Sequence, residues 1–235
     1  MHFHHATLEN APLLPGRRDF LLTRDLGVSA ATGGRMRATI IQLCSAAPAT
    51  GWHVHRCDAQ MIFLLSGWAK MQFAGSDPVM MDAGTLGFMP GHRPHNELAL
   101  SEDFAILEVS LPAEMGTEPS EAIPVTVPED AMQRRVIAWR DVAPRDGGRD
   151  LGIGAASRGA LSITYCDGAS VTSSAPAAGE AAVFFYLLSG KLEYSRAGSR
   201  RRVEAGDGVL SPGGEDFHIN AASADAALMR FALLG

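Results

Sequence analysis

With 235 residues, 46% hydrophobic and 20% charged, the chain can build one large domain or two small ones and is too apolar to be disordered. A net charge of −6 gives no electrostatic case for nucleic acid or an anionic membrane, so neither is expected as a partner. Cys44, Cys57 and Cys166 form an odd set without framework spacing, which argues against a disulfide-stapled secreted domain.

The N-terminus, MHFHHATLEN, has no apolar core of a signal peptide, and no apolar run reaches the ~18 residues that span a bilayer. A cytoplasmic protein is the expectation. His2, His4 and His5 are expected to form a loose terminus or an appended remnant. After "RDLGVSAATGG" (24–34) come short apolar or alternating runs: "RATIIQLC" (37–44), "QMIFLLSG" (60–67), "AKMQFAG" (69–75), "TLGFMP" (85–90) and "DFAILEVSL" (103–111). Gly, Pro, Asp and Ser separate them, which is the pattern of strands and turns. Residues 113–135 are rich in Pro and acidic residues and are expected to link two halves, 1–112 and 136–235. "AMQRRVIAWRDV" (131–142) reads equally as a short helix or a first strand. The second half then offers "ALSITYC" (160–166), "AVFFYLLSG" (182–190), "KLEYSRAG" (191–198), "GVLSP" (208–212) and "ALMRFALL" (227–234). The basic run Ser199-Arg200-Arg201-Arg202 is expected at a solvated hairpin tip.

The chain repeats itself. "RDLGVSAATGG" returns as "RDLGIGAASRG" at an offset of 125, "LLSG" at 123, and "DAGTLGFMPG" as "EAGDGVLSPG" at 122. Constant order and slow drift indicate a duplicated unit. Many short strands indicate an all-β antiparallel sandwich or barrel in each half.

The chemistry concentrates in the first half. In a strand, residues i and i+2 face one side, so His53 and His55 point together. Gln60 follows, and "GTLGFMPGHRPHNE" (84–97) brings His95 after a turn at Pro90 and Gly91. Cys57 and Asp58 are expected at the rim of such a site and His92 in a loop. Glu108 faces inward or outward with equal reason; inward, it would be a buried carboxylate beside a cation, able to act as a base. Glu97 lies two residues from His95 and is a further candidate for the inner face.

These spacings resemble the two motifs of the cupin superfamily, G-x5-H-x-H-x3/4-E-x6-G and G-x5-P-x-G-x2-H-x3-N. His53-x-His55-x4-Gln60-x6-Gly67 fits the first, without its leading glycine. Gly84-x5-Pro90-x4-His95 fits the second, with His92 in place of the internal glycine and Asn96 ahead of the usual asparagine. The resemblance covers both halves and implies a bicupin, two tandem jelly-roll β-barrels. It implies metal ligands at His53, His55, Gln60 and His95. Glutamine stands where the family has glutamate, so the ligand set loses one negative charge. Some bicupins of known activity also use glutamine there.

The implied cofactor is one divalent transition metal in the N-terminal barrel: Fe, Mn, Ni, Co or Zn. The implied activity is that of a metal-dependent enzyme, first a dioxygenase acting on a diketone, enol or aromatic diol, with Glu108 as a possible catalytic proton shuttle. Alternatives are a non-redox isomerase or lyase of the same fold, or a small-molecule binding or sensory bicupin without turnover. A homodimer is expected. In the second half the aligned positions are Pro176, Ala178, Val183, Phe217 and Arg230, so that barrel is expected to hold no metal.

Overall fold

The computed structural model describes every residue except Glu129, Asp130 and Ser174, so positions 129–130 of the expected linker lie outside the described residues. Strands dominate, and the helices are short: Val28–Thr32, Ile153–Ala156 and Ala169–Thr172. None of the helices among the described residues is long and apolar enough to cross a membrane.

The contacts divide the chain into two compact units. The first comprises Pro12–Asp25 and Gly34–Ala138. Its larger sheet has seven strands, in the order Arg135–Ala138, Thr85–Pro90, Ala59–Ser66, Ala105–Leu111, Arg37–Leu43, Leu21–Asp25 and Leu14–Pro15. Ala59–Ser66 and Ala105–Leu111 are buried on both faces along most of their length, which is why they read as continuous apolar runs. The second sheet has five strands, Gly116–Pro119, His53–Arg56, His95–Leu100, Trp68–Phe73 and Val79–Asp82. Here the alternation is clean: Ala69, Met71 and Phe73 are buried, while Trp68 and Lys70 are exposed. These residues join Ile41, Ile62, Leu64, Met89, Phe104 and Ile106 in one apolar core.

The turn after Thr85–Pro90 is sterically demanding. A Cβ on Gly91 would lie 1.7 Å from the carbonyl oxygen of Cys57. His92 sits at φ 59, in the left-handed region that favours the glycine of the resembled motif. One stretch differs from the sequence reading, and another takes one of the two forms it allowed. Gly116–Pro119, inside the expected linker, is a strand paired with His53–Arg56. Residues 131–142, left open between helix and strand, contain the strand Arg135–Ala138 on the edge of the seven-stranded sheet, followed by a 3-10 turn.

The other unit comprises Met1–Ala11, Leu26–Gly33 and Trp139–Gly235. The division therefore departs from halves cut at 112 and 136, because residues 1–11 and 26–33 group with the C-terminal part. The expectation of a loose terminus is corrected. His4–Ala6 pairs antiparallel with Gly208–Pro212, and the His2 amide donates to the Ala31 carbonyl at 2.9 Å. His5 lies 3.3 Å from Asp207 and 3.4 Å from the Tyr194 hydroxyl. A six-stranded and a three-stranded sheet make up this unit. The basic run lies along the strand Ser199–Glu204 rather than at the hairpin tip, with Arg200, Arg201 and Arg202 exposed.

Strand pairing repeats between the units. Ile62 lies opposite Glu108 and Gly87; Phe185 lies opposite Arg230 and Val209. The interiors differ. In the second unit Phe185, Leu187, Leu192, Phe217 and Leu228 close around a void of about 10 Å³. Phe217, aligned with His95, stacks on Phe185 at 5.8 Å and on Tyr194 at 5.2 Å. His218 points to solvent, as its one-residue offset requires. Arg230, aligned with Glu108, is paired with Glu180.

Candidate metal centre

His53–Arg56 and His95–Leu100 are neighbours in the five-stranded sheet, and His53 is the Cα partner of His95. Spacing of two puts His55 on the same face as His53, and both are buried. The three imidazoles therefore meet. Their ring centroids are 4.3 Å (His53–His95), 5.0 Å (His53–His55) and 5.0 Å (His55–His95) apart. One ring nitrogen from each lies within 4.8 Å of the others.

Each Nδ1 is already engaged. That of His53 faces the Gly51 carbonyl at 2.8 Å, that of His95 the Arg93 carbonyl at 2.8 Å, and that of His55 the Thr117 hydroxyl at 3.0 Å. A carbonyl only accepts, so in His53 and His95 a proton sits on Nδ1, and Nε2 is the ring atom left to act as a ligand. His95 Nε2 is buried without a hydrogen-bond partner among the described residues. Such an atom is costly unless something binds it. The donor set fits a divalent transition metal, and three imidazoles with outer-sphere acceptors are the usual way to hold one.

Charge points the same way. Burial, then the neighbouring His95 and His53, then Arg17, push the His55 pKa down to about 3. Burial likewise lowers that of His95. Both are neutral ligands at pH 7. In the unfolded chain His55 titrates near 6.5. As pH falls through 6.5 the unfolded state takes up the proton first, so stability present above pH 6.5 is lost on the way down to about 3. The metal-free protein is expected to lose up to about 1.4 kcal/mol per pH unit for each such histidine. Urea unfolding at pH 7 and pH 5 checks this, and a flat profile would contradict it.

The site opens on a cavity of about 440 Å³. His53, His55, Gln60, Glu97, Glu108 and Thr117 form its polar wall, with Arg17, and Phe20, Leu21, Ile41, Ile62, Met71 and Phe104 part of its apolar one. Gln60 is buried; its Nε2 donates to Glu108 Oε1 at 2.9 Å and its Oε1 has no hydrogen-bond partner among the described residues. Glu108 faces inward, which settles the alternative left open by the sequence. It is held by Gln60, by Arg37 at 3.1 Å and more loosely by Arg17 at 3.8 Å. Cys57 is buried but is not a cavity-lining residue, and burial raises its thiol pKa to about 11, so it offers no thiolate. Asp58 is exposed.

Two contributors were not marked by the sequence. Thr117, in the expected linker, orients His55, and Arg17 donates to the same hydroxyl at 3.2 Å. Only the Gly-Thr-Glu run between two prolines hints at a short edge strand there. T117V keeps the side-chain shape and removes the acceptor. It is expected to weaken metal binding about 10-fold with little change in melting temperature, as outer-sphere losses do; calorimetric titration of metal checks it.

No protein-family model matches the chain, and no curated protein matches it in sequence. Among solved structures it is similar to oxalate decarboxylase from Bacillus subtilis. A tryptophan-to-tyrosine variant of that enzyme aligns with a TM-score of 0.64 and 12% identity, over 100% of this chain and 78% of that one. The enzyme at pH 4.6 aligns with a TM-score of 0.65 and 11% identity, over 100% and 76%. A structure concerned with the Mn(II) centres of the same enzyme aligns with 0.64 and 12%, over 100% and 78%. Identity this low speaks for the fold alone. Strand order and this likeness together show that the chain has a cupin-like jelly-roll fold.

Proposed function

We propose that the protein is a metal-dependent cupin enzyme, a dioxygenase acting on a small oxygenated organic substrate with an apolar body: a diketone, an enol or an aromatic diol. One observation carries the reading. Three buried imidazoles, with His95 Nε2 unpartnered, converge beside a cavity of about 440 Å³ whose remaining wall is largely apolar. The cavity is far roomier than a two-carbon acid needs, and its apolar wall suits a hydrocarbon body.

His53, His55 and His95 would hold the ion. A bound transition metal supplies Lewis-acid polarisation of substrate oxygens and, if redox-active, electrons for O₂ chemistry. The chain's residues do the rest. Phe20, Leu21, Ile41 and Phe104 exclude water around the apolar part of the substrate. Arg17, half exposed and lining the cavity, meets negative charge on the substrate. Glu108 was the sequence's candidate proton shuttle. Engaged by Gln60 and Arg37, it positions Gln60, whose amide nitrogen it holds.

The test is oxygen uptake by metal-loaded protein offered 1,3-diketones, enols and catechols. One O₂ consumed per substrate is expected. Substrate conversion without oxygen uptake would mean the isomerase or lyase alternative, and ligand binding without turnover a sensory module.

A further inference from the structure

We infer that Glu97 is a metal ligand, so that the centre has three imidazoles and one carboxylate, with the carboxylate supplied by the strand of His95 rather than by position 60. This rests on the metal reading above and adds the charge of the site. His95 and Glu97 are two residues apart on one strand and share a face. A glutamate there lines the same cavity as His53 and His55.

The distances support it. Glu97 Oε2 is 3.7 Å from His53 Nε2, and Oε1 is 3.9 Å from His95 Nε2. Both exceed hydrogen-bond length, so the carboxylate is close to the two nitrogens without bonding either. Ligand atoms each about 2.1 Å from one ion lie roughly 3.0–3.4 Å apart, so the carboxylate has to approach His53 and His95 by about 0.3–0.9 Å and to turn further to share an ion with His55, since the group already within 4.8 Å comprises the three imidazoles. The carboxylate is also held. The Thr50 hydroxyl donates to Glu97 Oε2, accepts from the Glu97 amide at 3.0 Å, and the Thr50 amide donates to the Glu97 carbonyl at 3.1 Å.

Charge makes Glu97 the better anion. The cavity has two carboxylates, Glu97 and Glu108. Glu108 is taken up by Arg37 and Gln60, whereas Glu97 has no arginine or lysine ion pair among the described residues. Gln60 is neutral and directs its amide nitrogen to Glu108. A divalent cation beside three neutral imidazoles is therefore offered its compensating charge by Glu97.

The experiment titrates Mn(II) into the metal-free full chain by calorimetry and records the visible spectrum of the Co(II)-loaded protein. Wild type is expected to bind one ion. E97Q is expected to bind about 100-fold more weakly with a shifted Co(II) spectrum, and Q60A about 10-fold or less with the spectrum kept. If E97Q does not fold, E97D and T50V are expected to weaken binding while preserving the carboxylate spectrum. Wild type that binds no metal overturns both this inference and the metal reading. Wild type that binds, with E97Q equal to it in affinity and spectrum, overturns this inference alone.

Discussion

H95F is expected to abolish metal binding and leave the protein folded. His95 is 2% exposed and its Nε2 has no hydrogen-bond partner among the described residues, so the hydrogen bond that a substitution removes is that to the Arg93 carbonyl. That bond is worth about 1 kcal/mol. A phenyl ring removes the orphaned nitrogen and meets an aromatic neighbour, since Phe73 lies 6.3 Å away. The second unit shows the outcome: Phe217 occupies the aligned position and packs on Phe185. Loss of a ligand costs more than loss of an outer-sphere partner, so affinity should fall by well over about 100-fold. Elemental analysis after metal loading and melting curves with and without metal check both halves of the expectation. Bound metal at wild-type stoichiometry in H95F would remove His95 from the centre.

R37A is expected to destabilise the protein by about 3 kcal/mol, because it removes the closer counter-charge of a buried carboxylate and leaves only Arg17, 3.8 Å away. Glu108 is 4% exposed on its side chain, whereas that of Arg37 is 26% exposed. The pair is thus asymmetric. E108Q should cost much less: it leaves Arg37 able to reach water, and an amide oxygen still accepts from Gln60 Nε2. Urea unfolding of the two variants at pH 7 measures the difference. Equal losses would mean that burial of Glu108 carries no charge penalty, and R37A milder than E108Q would contradict the arrangement. Because Glu108 also fixes Gln60, both variants should alter the cavity wall.

Several features are legible in the sequence alone. Short strands with frequent turns predicted an all-β chain, and the repeated segments predicted that two stretches would pair their strands alike. Spacing of two in a strand placed His53 and His55 together, and the turn at Pro90 and Gly91 brought His95 to them. The alignment also set Phe217 against His95, while the filled interior around Phe217 is a finding of the structure. These are local or periodic properties, and strand geometry transmits them directly.

The remainder depended on tertiary structure. Ala105–Leu111 is buried on both faces, so alternation could not say which way Glu108 points; pairing with Arg37 and Gln60 decided it. Thr117 entered the site because a short segment poor in apolar residues pairs with His53–Arg56, an edge contact without periodic signal. His4–Ala6 joined Gly208–Pro212, a partner about two hundred residues away that no local pattern names. The sequence by itself determined which side chains share a strand face. The fold decided which faces meet, because backbone pairing and burial between distant segments are set by the energy of the whole packed unit, not by the residues next in line.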